Sequence, residues 1–282
     1  AFIFAERAAK HEALLPLSLF KSRTFSMSTI LGVIIGVGMF GGMMTLPLLL
    51  QIVMGASPTE AGFMMLPMVA GMMTATIISG QITSRTGKYK PFMVIGPSLL
   101  ALGYFYLTSF NADTEYWQAS IGMILIGLGL GQLMQTLTLA AQNSVPASEV
   151  GVATASATFF RQMGGTLGVA VFISILFNNL VDTIPAAFKR PEIQAGIKEA
   201  LADKAVLADP NNADFLKGLQ SGDMAALAGK LNTDSSFLNH LDPRLARPFL
   251  VGFADAGVTV FASAAAVVAI AIVIAIFTKA PA

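Results

Sequence analysis

The sequence predicts an all-α membrane protein, a six-transmembrane-helix bundle, and three observations carry that expectation. Of its 282 residues 55% are hydrophobic and 12% charged, with a mean hydropathy of +0.70, whereas a soluble domain is about a quarter charged. Apolar runs of twenty or more residues recur, long enough for the hydrocarbon of a bilayer. None shows the alternating ten-residue pattern of a barrel strand, and a helix satisfies its own backbone in lipid. A net charge of +1 points to no nucleic-acid partner, and the absence of Cys excludes disulfides and thiolate metal sites. No cofactor or metal is implied.

Residue 1 is Ala, and Ala1–Phe4 reads as the tail of an earlier membrane helix, so the expectation is a fragment whose N-terminal part is missing. Residues 1–24 read as a cytoplasmic linker and the end of that helix. Arg7, Lys10, Lys21 and Arg23 make the linker basic, and Leu14 to Phe20 with Pro16 suit a helix lying in the interface. Residues 25–180 hold five spans, placed at Phe25–Met54, Pro58–Thr83, Pro91–Phe110, Trp117–Gln142 and Gly151–Leu180. Residues 181–247 form an extracytoplasmic loop, and 248–282 hold the last span, Pro248–Thr278, with a cytoplasmic tail.

The turn Gly80–Pro91 sets the orientation. Arg85, Lys88 and Lys90 fall within six residues with no acid nearby, and such short loops stay cytoplasmic. The short turns Gly55–Ser57 and Asn111–Tyr116 hold no Lys or Arg and fall outside. The loop 181–247 carries eight cations, but loops beyond about 60 residues translocate regardless of charge. The expectation is a multi-pass plasma-membrane protein with both ends of the segment cytoplasmic. Within the long loop, Pro191–Leu207, with Ile193, Ile197 and Leu201 at spacing four, reads as a helix. Asp214–Leu219, Asp223–Leu231 and Ser235–Leu241 are shorter candidates. The loop reads as a small helical cap or as a solvated mobile segment.

Inside the spans, glycines mark close helix contacts: Gly32, Gly36, Gly38, Gly41 and Gly42 in the first, Gly127, Gly129 and Gly131 in the fourth, Gly164, Gly165 and Gly168 in the fifth. Pro47, Pro67 and Pro97 interrupt apolar runs and predict bends. Gln132, Gln135 and Gln142, with Thr136 and Asn143, form a polar stripe on the fourth span, which lines a wet cavity or bonds partner helices. Arg161, in FFRQMGG, snorkels to phosphates or faces the cavity. Asp255 is the carboxylate expected within a span, either a proton-relay site or an outer-interface acid reached by water or paired with a loop Lys. Clustered methionines, Met64 to Met73 among them, suit a pliable pocket or ordinary packing.

Gly80-x-x-x-Ser84-Arg85-x-Gly87-x-x-Lys90 resembles the cytoplasmic signature of the major facilitator superfamily, GxxxDRxGxx[RK], between the second and third spans of a six-span half. Ser84 replaces the acid of the signature, which removes its charge from the gate brace. PLSLFKSRTF, GASPTEAGFMMLP and QNSVPASEVGVATASATFFRQMGGTLGVAVF are similar to the fourteen-helix drug–proton antiporter branch. The resemblance implies the C-terminal half of a transporter whose N-terminal six-helix half is missing here. It implies a proton-coupled exporter of lipophilic small molecules, with membrane lipid, substrate and protons as partners. Gly80, Ser84, Arg85, Gly87, Lys88 and Lys90 would form the cytoplasmic gate loop, Gln132, Gln135, Thr136 and Arg161 the substrate lining, and Asp255 a possible proton site. A lipid or glycolipid exporter and a non-transporting half-subunit are the alternatives. An enzyme would need clustered acids and histidines at membrane depth, and only His11 and His240 exist, both in loops.

Overall fold

The computed structural model describes residues 19–20, 22–221, 238 and 240–277. Its helices are α1 (Arg23–Val53), α2 (Pro58–Met64), α3 (Leu66–Thr86), α4 (Lys90–Leu107), α5 (Tyr116–Gln142), α6 (Val150–Phe188), α7 (Pro191–Ala202), α8 (Lys204–Ala208), α9 (Ala213–Ser221) and α10 (Pro243–Phe277). Six stretches are long and apolar enough to cross a membrane: α1, α2 with α3, α4, α5, α6 and α10. Residues 14–18 of the expected linker helix, the Asp223–Leu231 helix and most of Ser235–Leu241 lie outside the described residues.

Local chemistry sets the boundaries. Ser22 caps α1 by accepting from the Phe25 amide. Ser57 and Glu60 form a reciprocal capping box at α2, with Pro58 in the first turn. The second span is not one continuous helix. It breaks at Met65, two residues before Pro67, whose ring and missing N–H exclude it from a helix interior. Pro47 and Pro97 are instead carried inside α1 and α4. The fifth and sixth spans are longer than the apolar runs that predicted them. α6 continues to Phe188 rather than ending near Leu180, and α10 begins at Pro243, so that Pro248 lies inside it rather than at its start. Asp182, assigned to the loop on composition, therefore sits on a helix.

The bundle is organised by close backbone approach. α5 packs against both α3 and α4, α1 against α6, and α10 against α1, α4 and α6. The GLGLG run of α5 splits between two neighbours. A Cβ on Gly127 or Gly131 would overlap the Met68 or Met72 carbonyl of α3, while one on Gly129 would lie 2.6 Å from the Leu100 nitrogen of α4. Gly164 and Gly168 of α6 meet the Val33 and Val37 carbonyls of α1 in the same way. Lipid tails are as apolar as leucine, so such contacts rest on van der Waals packing. Tyr104 of α4 adds a polar tie: its buried hydroxyl donates to the Gly38 carbonyl of α1 at 2.7 Å, and its ring stacks on Phe261 of α10.

Substituting two glycines should move stability in opposite directions. Gly127→Ala meets backbone and should destabilise by about 1–3 kcal/mol. Gly80→Ala meets nothing within 4 Å, lies inside α3, and should stabilise by up to about 1 kcal/mol. Thermal denaturation of the two variants in detergent, followed by monodispersity, checks the sign of each.

Candidate functional site

α5 and α6 run antiparallel and meet at the end of the bundle that carries the 4–5 turn. There Gln142 Nε2 donates to Thr154 Oγ1 at 3.1 Å. Gln135 lies seven residues back along α5, and Arg161 lies seven residues on along α6. Seven residues return to within about 20° of the same face. Gln135 and Arg161 therefore occupy the two stripes that this bond brings together, at one depth, about 10 Å further into the bundle. Both side chains are half-buried, and among the described residues neither has a hydrogen-bond or ion partner.

The surroundings of this pair are polar on one side and glycine-lined on the other. Gln132, one turn beyond Gln135, keeps a buried Oε1 with no partner among the described residues. Thr136 is fully buried, and its hydroxyl donates back to the Gln132 carbonyl. It stands behind the amides, packed between helices, rather than on open surface. α1 passes along the Arg161 face of α6: a Cβ on Gly32 would lie 3.8 Å from Arg161 Cβ, and one on Gly36 would overlap the Arg161 carbonyl. Ser28, Thr29 and Ser156 hold buried hydroxyls without partners among the described residues toward the same end. Arg161 is eleven residues, about 16 Å, along the axis from Val150. A guanidinium at that depth costs up to about 3 kcal/mol on insertion scales, a cost retained where the group has work to do. Gln142 differs from its stripe-mates, since its amide is spent on the α5–α6 bond.

The basic turn is built by its glycine. Gly87 ends α3 in the left-handed conformation, φ 67°, with its amide donating to the Thr83 carbonyl at 2.8 Å. Ser84 donates to the Gln81 carbonyl, and Thr86 to Ile82. Ser84 thus serves its own helix, and its hydroxyl does not cap a neighbour. Gly80 lies in the last turns of α3 with free space beside it. Arg85, Lys88 and Lys90 are exposed, and among the described residues none is ion-paired. Tyr89 turns inward between them, and burial raises its phenol above the ordinary range.

At the opposite end the described part of the 181–247 loop is a packed cap. Ile193 and Ile197 of α7 bury against Ala187 and Val251. The expected single helix Pro191–Leu207 is two, because Asp203 breaks it and caps α8 through the Ala205 amide. Phe249 of α10 packs edge-on to both Phe188 and Phe215. Buried Asn212 donates to the Val206 carbonyl and accepts from the Asp242 amide. Arg244 reaches Asp242 at 3.0 Å, Asp203 at 3.2 Å and Glu199 at 3.8 Å, and Arg247 reaches Asp113 at 2.6 Å. Asp255 belongs to the same system. Its carboxylate pairs with Arg190 at 2.6 Å and is one-third exposed. The carboxylate is thus paired rather than isolated, and its partner is an Arg rather than the Lys expected of the loop. Nothing local points to this partner, because Arg190 is 65 residues away and its helix start is fixed only by Pro191.

The profile of the Major Facilitator Superfamily matches residues 3–169. A tetracycline resistance determinant of Streptomyces rimosus is 32% identical over 253 residues, covering 90% of this chain and 71% of the relative. A multidrug transporter protein of Bacillus subtilis is 39% identical over 176 residues, 62% of this chain and 32% of the relative. A tetracenomycin C resistance and export protein of Streptomyces glaucescens is 30% identical over 271 residues, 95% of this chain and 46% of the relative. The chain thus spans less than half of the last two.

The cap carries a pH dependence of known sign. Hydrogen bonds from the Ala205 amide and Arg244 hold the Asp203 carboxyl below its ordinary value, and Arg244 does the same for Asp242. Groups with depressed folded pKa values stabilise above the ordinary carboxylate range and lose that contribution as pH falls through the folded values. Protection factors of the α7 and α8 amides, with the intrinsic pH dependence of exchange divided out, should therefore be unchanged from pH 7 to 5 and fall below about 4. Arg244→Gln should raise exchange at neutral pH and flatten the dependence.

Proposed function

The chain belongs to the major facilitator superfamily, and from that membership we propose that it is the C-terminal six-helix half of a proton-coupled multidrug efflux transporter. It would export lipophilic small molecules by alternating access, with a second six-helix half completing the pathway. Sites of such transporters lie near the bilayer midplane between two rocking bundles. The observation that carries the reading is a polar set inside the bundle: Gln132 and Gln135 on α5 and Arg161 on α6, half-buried, with no side-chain partners among the described residues for Gln135, Arg161 or the Gln132 Oε1. Unsatisfied amides and a guanidinium inside an apolar bundle are costly unless water or a ligand meets them. The names of the three relatives, each concerned with resistance or export of a drug, support the substrate class.

In this reading the exposed cations of the 80–90 turn face the cytosol, in line with the positive-inside rule. The protein is a multi-pass protein of the plasma membrane, with both ends of this segment cytoplasmic and lipid around the bundle. Gly87 shapes the gate loop, and Arg85, Lys88 and Lys90 meet the partner half or the headgroups when it closes. Coupling to protons is assigned to the complete transporter. Asp255 takes part through its ion pair with Arg190, at the outer mouth.

The packed cap favours one further reading, a lipid or glycolipid exporter whose outer helices guide the product away. Deleting residues 193–241 separates the two, since drug efflux persists in the first reading and release of lipid fails in the second. For the first, Gln135→Leu in everted vesicles should shift KM for at least one exported drug about tenfold while insertion and melting temperature stay unchanged. An unaltered substrate range would remove Gln135 from the pathway.

A further inference from the structure

We infer that the Arg161 site receives an anion: the carboxylate, enolate or phenolate of an amphiphilic substrate, rather than the ammonium of a lipophilic cation. The inference rests on the efflux reading and names the substrate class of that same site. Its basis is the charge inventory of the spans. Among the described residues, the charged groups of the six spanning stretches lie near the helix ends, apart from Arg161 and Asp255. Arg23, Arg85 and Lys90 sit at the basic-turn end, and Glu60, Asp182, Arg244 and Arg247 at the cap end. Asp255 is already neutralised by Arg190 at 2.6 Å. No carboxylate among the described residues pairs with Arg161. A half-buried guanidinium with no counter-ion repels a cationic ligand and attracts an anionic one.

The chemistry around it fits the same ligand. The guanidinium offers several N–H donors in a fork that matches a carboxylate. Gln135 and Gln132 of the neighbouring α5 add amide donors, and the buried Gln132 Oε1 offers an acceptor for a hydroxyl on the ligand.

The test uses the full-length protein containing this segment, purified and in everted vesicles, with carboxyfluorescein as the anionic probe and ethidium as the cationic one. The expected result is saturable binding and transport of carboxyfluorescein, at least tenfold weaker in Arg161→Gln and largely kept in Arg161→Lys. Ethidium transport should be unchanged or improved in Arg161→Gln. Equal loss of both probes would instead assign Arg161 to an ion pair with the other half of the transporter and overturn the inference. Transport of ethidium with no binding of carboxyfluorescein would overturn it while leaving the efflux reading intact. Binding of carboxyfluorescein without transport of either probe would do the reverse, and neither binding nor transport would remove both.

Discussion

Backbone-to-backbone contact between helices is the constraint on which this bundle depends. In lipid the hydrophobic effect does not drive one helix onto another, so the contacts must come from surface fit. α5 meets α3 through Gly127 and Gly131 and α4 through Gly129, and α6 meets α1 through Gly164 and Gly168. Each of these places a carbonyl where a Cβ would stand. Two tight seams result, α3–α5–α4 and α1–α6, with α10 packed against α1, α4 and α6. Tyr104 ties them together, reaching the Gly38 carbonyl with its hydroxyl and Phe261 with its ring.

The polar stripes owe their position to these seams. α5 and α6 belong to different seams and touch lightly, with the Gln142–Thr154 bond as a side-chain link near one end. Beyond that bond the facing side chains, Gln135 and Arg161, are not joined. The glycines that draw α1 onto α6 hold the Arg161 backbone hard against α1 while its side chain stays half open.

Much of this was legible in the sequence because lipid imposes a simple rule. Six apolar runs gave six spans, and the glycines did mark the contacts. The GxxxSRxGxxK spacing identified the turn whose Gly87 has a positive φ. What was not legible lies where the rule stops. Hydropathy fades at Leu180 and starts at Pro248, yet α6 and α10 continue past both points, because the packing of Ile184, Ala187, Leu245 and Phe249 sustains them beyond the apolar run. The role of Gln142 depended on Thr154, an inconspicuous residue whose spacing of seven from Arg161 was its one signal. The setting of Asp255 depended on Arg190 across a long loop. Apolar periodicity reads one helix at a time, and these three outcomes are each decided by a second.

The length of α6 has a mechanical consequence. Its 39 residues make a rod of about 58 Å, nearly twice the hydrocarbon thickness. Its far tip, with that of α10, is bolted to the cap by Arg190, Arg244 and Phe249. The same rod carries Arg161 lower down. It therefore works as a lever: a few degrees of pivot at the level of the guanidinium become several ångström of sweep at the cap. A reporter attached to the cap would register, without touching it, what happens in the interior of the bilayer.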